Sequence, residues 1–284
     1  MPFGDFMTDK GTKRLGYKLG LHSRYYPGEW SSAYCREFLK SAESAEDKTA
    51  AYDIVCDHHS ASFRYFFLEQ FGHSPARWHC AKMRYTRSVA INSMVGHILG
   101  IGDRHCSNIL VHRETGEVVH IDFGIVFEQG KTLKVPEIVP FRLTRNIVDG
   151  FGPLGTEGTF TKTAEQTLDI LKENSDALLT ILSALVADPL YRWTISRVQA
   201  LKFQREMNEE DLDQIGKLLE DRADSDENEA AAHAIARVHE KLQGYEDGTA
   251  GEQQTTESQV QLLIEAARSQ DNLSQMFPGW APWI

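Results

Sequence analysis

The chain has 284 residues, enough for one large domain or two modest ones, and with 41% hydrophobic residues it can bury a substantial core. Its formal net charge of −11 is repelled by nucleic acid phosphate and by anionic membrane surfaces, so direct binding to either through the body of the chain is not expected. No apolar run reaches the length of a membrane span, the opening MPFGDFMTDKG lacks the regions of a signal peptide, and Cys35, Cys56, Cys80 and Cys106 show no CxxC spacing, which together suit a soluble protein of a reducing compartment.

In chain order, CDHH (Cys56 to His59) and HC (His79 and Cys80) come first; their spacings match no common zinc pattern, and core or surface placement is expected for them. Residues 83–100 predict a helix, with Ile91, Met94, Val95, Ile98 and Leu99 on one buried face, ended by Gly100 and Gly102. Two runs rich in β-branched residues follow, Asn108 to His112 and Val118 to Asp122, and the polar stretch between them, ending in Gly116, predicts a hairpin. A glycine-punctuated loop then runs to about Gly158. Its Gly130, Lys131 and Thr132 mimic a phosphate loop, but the preceding Gly124 is one residue too far away and Ile125, Val126 and Phe127 are bulky. From Phe160 to Trp193 the helical pattern returns, with Leu168, Leu171, Leu178, Ile181, Leu182 and Leu185 as expected core. Residues 208–230 carry ten acidic side chains against Lys217 and Arg222, and the stretch 208–251 is expected to be an acidic linker or insertion, mobile or the edge of a solvated helix. The end sets Val260, Leu263, Ile264 and Ala267 at helical spacing, then Leu273, Met276, Phe277, Trp280, Trp283 and Ile284, a tail too aromatic to stay in water.

The central segment GIGDRHCSNILVHRETGEVVHIDFG carries the chemistry. With the turn centred on Thr115, antiparallel pairing sets Asn108 opposite Asp122, give or take a bulge of one residue. An amide oxygen beside a carboxylate at the open end of a hairpin suits Mg²⁺, a hard cation that keeps sites for phosphate and water; Asn and Asp also end strands without any such role. Asp103, Arg104 and His105 lie just before the hairpin and return to the same end. Asp103 and Asn108 have the five-residue spacing of a kinase catalytic Asp and its metal-holding Asn, and Asp122, Phe123 and Gly124 are a DFG.

The DRH order, VHIDFG, VPFRLTRNIVDGFG, FRYFFLEQF, YTRSVAINSMVGHILGIGDRH, FEQGK and the ending NLSQMFPGWAPWI together resemble the ATM-type branch of the phosphatidylinositol 3-kinase-related protein kinases, over almost the whole chain. The resemblance implies a mainly α carboxy-terminal kinase lobe of the PI3/PI4-kinase type with a small β-hairpin (an α+β fold), over residues 1–207. Within it lie a catalytic loop at 102–108 and an activation segment at 122–142; a FATC element would occupy 252–284. It further implies Asp103 as catalytic base, His105 near the transferred phosphoryl group, and Asn108 and Asp122 as ligands of ATP-bound Mg²⁺, or of Mn²⁺ in its place. The expected function is that of a nuclear kinase of the DNA damage response and telomere maintenance, transferring the ATP γ-phosphate to Ser or Thr, followed by Gln, in proteins. Expected partners are protein substrates, the rest of a parent kinase and a damage-sensor complex. Between residues 125 and 141, Lys131 and Lys134 are balanced by Glu128 and Glu137, which favours a protein substrate over an anionic lipid. No Gly-rich loop or phosphate-contacting Lys of an amino-terminal lobe precedes the stretch PFGDFM, so the chain is read as a fragment, inactive on its own. The alternative is a non-catalytic binding module acting through the aromatic tail and the acidic segment.

Overall fold

A computed structural model describes residues 12–14, 20–186, 224–247 and 251–284. Strand β1 (Thr12–Arg14) is followed by helices α1 (Leu21–Tyr25), α2 (Ser32–Lys40), α3 (Ala45–His58), α4 (Arg64–Phe71) and α5 (Pro75–Ile98), then by strands β2 (Ile109–His112) and β3 (Val118–His120). Among the described residues, helices α6 (Arg145–Phe151), α7 (Thr159–Glu173), α8 (Ser175–Val186), α9 (Asp224–Gln243), α10 (Thr256–Arg268) and α11 (Gln270–Gln275) follow, with 3₁₀ turns at Gln129–Thr132 and Pro278–Trp280. The fold is mainly helical, as the sequence implied. Helix starts fall where side chains can take the orphan amides of a first turn. Ser31, Ser44 and Ser74 accept from Tyr34, Asp47 and Arg77, and Pro75 opens α5 where no amide donor is needed.

Helix α5 runs through the larger core, where Tyr85, Val89, Ala90, Met94 and Ile98 pack against α4, α6, α7 and the hairpin. The buried face is therefore turned from the expected one: Ile91 is 45% exposed, while Tyr85 and Ala90, small or polar-tipped residues outside the apolar stripe, are fully buried. The hairpin rests on this helix through Ser88 Oγ, which accepts from Val118 N at 2.9 Å, and Asn92 Nδ2, which donates to Val118 O at 3.3 Å. Its register pairs Ile109 with His120 and Val111 with Val118, and β1 adds an outer antiparallel strand to β2 that the sequence reading did not include. The helical stretch after Phe160 is two helices broken at Asn174; Leu168 and Leu182 are buried, but Ile181 faces solvent, and the expectations for residues 187–193 lie outside the described residues.

The expectation of an acidic linker over 208–251 falls partly outside the described residues. Its later part is a packed helix rather than a solvated edge. Ala234, Val238, Lys241 and Leu242 follow i, i+4, i+7, i+8 along α9 and are buried, a stripe that the neighbouring acidic residues conceal in composition. A second core gathers Cys35, Leu39, Tyr52 and Val55 of α2 and α3 with Leu273, Met276, Trp280, Trp283 and Ile284. The aromatic tail is thus interior, not a free docking arm. Among the described residues no helix is long and apolar enough to cross a membrane.

Candidate active site

The loop from Gly100 to Asn108 links the end of α5 to β2, and the sharp turns it needs are visible in its backbone. Gly100 has φ 59°, and a side chain there would collide with the main chain of Glu128, since a Cβ would lie 2.4 Å from Glu128 N. Asp103 adopts φ 54° and Asp122 φ 62°, a left-handed conformation that costs a residue with a side chain roughly 1–2 kcal/mol. Both conformations are held by neighbours. The Asp103 amide donates to Glu137 Oε1 and Oε2 at 3.0 and 2.8 Å, and Asn108 Nδ2 donates to Asp103 O at 2.9 Å and to Asp103 Oδ2 at 3.3 Å. Asp122 Oδ1 accepts from Gly124 N at 3.4 Å, while the main-chain oxygen of Asp122 accepts from Arg104.

Arg104 is the strut of the site. Its buried guanidinium donates to Gly102 O at 2.7 Å, to Ile121 O at 2.8 Å and to Asp122 O, tying the loop of Asp103 to the strand that leads into Asp122, Phe123 and Gly124. Across the hairpin end, Ile121 N donates to Asn108 O at 3.0 Å, so Asn108 faces Ile121 and Asp122 is the next residue, within the one-residue latitude expected. His105 Nδ1 accepts from Ser107 N at 3.1 Å, which leaves the neutral ring's proton on Nε2, 3.9 Å from Asp103 Oδ2. The structure therefore brings Asp103, His105, Asn108 and Asp122 to one end of the hairpin. The Asn108 amide spends its nitrogen on Asp103, leaving its oxygen as an acceptor for a cation, and the Asp122 carboxylate is exposed; an amide oxygen and a carboxylate are donors a Mg²⁺ ion takes.

Two further residues were not read from the sequence as neighbours of this loop; Glu137 was counted there only as a balancing charge. Burial pushes the Glu137 carboxyl up to about 7, against the Asp103 amide that favours its charged form. Arg142, 3% exposed, lies behind the catalytic loop, donating to Cys106 Sγ at 3.2 Å and to the main-chain oxygens of Trp280, Ala281 and Ile284. Neither role had a local signal, because each partner lies more than thirty positions away. Gly130 to Thr132, the mimic of a phosphate loop, form a 3₁₀ turn in which Lys131 pairs with Glu128 and Asp247 at 3.1 and 2.7 Å. A cavity of about 320 Å³ opens beside the loop, lined by Gly102, Glu137, Ile138, Lys241 and Leu263 among others.

Residues 14–195 match the family model of the phosphatidylinositol 3- and 4-kinases, and residues 253–284 match the FATC domain. Over its whole length the chain is 46% identical to the serine/threonine-protein kinase ATM of Arabidopsis thaliana, of which it covers 7%. It is 41% identical over 278 residues to the serine/threonine-protein kinase tel1 of Schizosaccharomyces pombe, covering 93% of this chain and 10% of that protein. The solved FAT and kinase domain of CtTel1 superposes with a TM-score of 0.80 at 40% identity, over 94% of this chain and 17% of that one. The chain thus spans a tenth or less of the length of these curated relatives.

Proposed function

The chain belongs to the phosphatidylinositol 3- and 4-kinase family, and from that premise we propose that it forms the carboxy-terminal catalytic lobe of a serine/threonine protein kinase of the ATM and Tel1 type. The observation that carries the proposal is the hairpin end, where Arg104 and Asn108 bind the loop of Asp103 to the strand of Asp122. Asp103 takes the proton from the Ser or Thr hydroxyl of a protein substrate, within reach of His105. Asn108 and Asp122 would hold the divalent ion that accompanies ATP. That ion, when bound, neutralises charge on the phosphate oxygens during transfer. His105, with its Nε2 proton, donates toward the transferred group.

A protein substrate is favoured over a lipid headgroup because the Lys131 ammonium is already committed to Glu128 and Asp247. Preference for Gln after the phosphorylated residue, a role in the DNA damage response and at telomeres, and residence in the nucleus complete the proposal by family likeness. So do the damage-sensor partner and the contacts with the remainder of a larger kinase.

In full-length kinase containing this chain, Asp103→Ala and Asp122→Ala should each lower phosphorylation of a Ser-Gln peptide by about 10²–10⁴-fold, one by removing the proton acceptor and the other a metal ligand. Asn108→Ala should raise the Mg²⁺ concentration needed for half-maximal rate. Near-normal turnover by either Asp variant, with an unchanged circular dichroism spectrum, would remove these residues from the chemistry.

A further inference from the structure

We propose that Glu137, in the activation segment, is a positioning residue that holds Asp103 in its working conformation. The proposal rests on the reading of Asp103 as the base. Asp103 has φ 54°, a conformation that persists only when the surroundings over-determine it. Both peptide units flanking its Cα are gripped: Asn108 holds its carbonyl at 2.9 Å, and the two oxygens of Glu137 hold its amide at 3.0 and 2.8 Å. With both peptides fixed, the direction of the Asp103 side chain is set by the backbone rather than found during turnover.

The seat of Glu137 is built for a carboxylate. A Cβ added to Gly102 would lie 2.7 Å from Glu137 Oε2, and a Cβ added to Gly130 would lie at the same distance from the same atom. Two glycines, one in the catalytic loop and one in the activation segment, thus leave the space that the carboxylate fills. Its backbone is anchored there as well, Glu137 N donating to Gly130 O at 3.0 Å. Taking a carboxylate part-way out of water is costly unless it is hydrogen-bonded, and among the described residues the hydrogen bonds that this half-buried one accepts come from a single amide. An apolar residue in the same seat would be cheaper for the fold. What the carboxylate adds is its hold on Asp103, and because Glu137 belongs to the activation segment, the base is aligned only when that segment is in place.

The test uses full-length kinase containing this chain, with kcat and KM for ATP and a Ser-Gln peptide. Misplacing a reacting group by about 1 Å costs on the order of 10²-fold, so Glu137→Ala should lower kcat by roughly 10–100-fold while both KM values stay within about twofold. Glu137→Gln keeps one acceptor oxygen and should recover most of that loss, a rescue that simple filling of space by Met should not reproduce. Gly130→Ala provides an independent arm. The three atoms nearest its new methyl all belong to Glu137, so it should displace the carboxylate and lower kcat as Glu137→Ala does, with the thermal midpoint retained. Turnover within about twofold of the parent in both Glu137→Ala and Gly130→Ala, beside an inactive Asp103→Ala, would overturn the proposal and leave the base assignment standing. An active Asp103→Ala would instead remove the base assignment, and this inference with it.

Discussion

At the scale of single residues, Glu137 shows what a functional hold costs. Burial raises its carboxyl to about 7, so between the ordinary carboxylate range and pH 7 the folded chain keeps a proton that the unfolded chain has lost. The folded form therefore binds more protons there, and stability falls as pH rises from about 4.5 to about 7. Glu137→Gln removes this penalty: it should stabilise the protein more at pH 8 than at pH 5, by an amount on the order of 1–3 kcal/mol, read from urea unfolding at the two pH values. An equal effect at both pH values would mean that the carboxyl ionises normally. Asp103, His105, Asn108 and Asp122 were legible in the sequence because one loop and one hairpin bring them together, and the spacing of chemistry-bearing residues within a hairpin is local information. The places of Glu137 and Arg142 beside the loop of Asp103 were not legible, since a half-buried carboxylate and a buried guanidinium look the same in sequence as exposed ones until their partners fold around them.

Among elements, the least legible was α9, whose acid-rich composition hides a buried stripe, and it also carries the least ordinary buried group. Lys241 is 2% exposed and donates to Glu128 Oε1 at 2.6 Å and to His97 O at 2.8 Å, so the helix is fastened to the loop that follows β3 and to α5 by one ammonium. Burial alone would raise the Glu128 carboxyl; Lys241 and Lys131 outweigh it and hold it at about 2, so its contribution to stability is present above the usual carboxylate range and is lost only as pH falls through that value. Removing one partner of a buried pair costs about 3–5 kcal/mol when the other charge is orphaned. Lys131 and Arg237 still reach Glu128, at 3.1 and 3.4 Å, so Lys241→Met should cost less, about 2 kcal/mol in denaturant unfolding, with part recovered by adding Glu128→Gln. A double variant no better than the single one would show that the ammonium serves His97 O and not the ion pair. The hairpin, by contrast, was readable from its β-branched runs and its turn. The α5 stripe was readable as a helix but not in its rotation, because Tyr85 and Ala90 contribute to the buried face and Ile91 does not.

For the whole molecule, the question is what ties the second core to the loop of Asp103, and Arg142 supplies the link. Its guanidinium stacks over the Trp280 ring at 4.2 Å and donates to Trp280 O, Ala281 O and Ile284 O at 2.7, 2.8 and 2.7 Å, while also reaching Arg104 O at 3.4 Å and Cys106 Sγ at 3.2 Å. The tail therefore does two things at once. It fills the second core with Leu273, Met276, Trp280, Trp283 and Ile284, and its main-chain oxygens accept from a cation buried directly behind the loop of Asp103. Burying side chains of this size is worth about 2–3 kcal/mol each, and stripping a buried charge of its partners adds about 3–5 kcal/mol. Their sum is comparable to the roughly 5–15 kcal/mol that holds a domain folded. Deleting residues 273–284 should therefore lower the thermal midpoint severely rather than by a few degrees. The two contributions can be separated. Trp283→Ala leaves the ring and the main-chain oxygens of residues 280, 281 and 284 in place, and should cost about 3–5 kcal/mol as a core truncation. Arg142→Met placed in the deletion background removes the orphaned charge and should recover part of the lost midpoint. A deletion whose midpoint equals that of the parent would show that the tail contributes nothing to the lobe, and a deletion that Arg142→Met leaves unimproved would show that the loss is apolar burial alone.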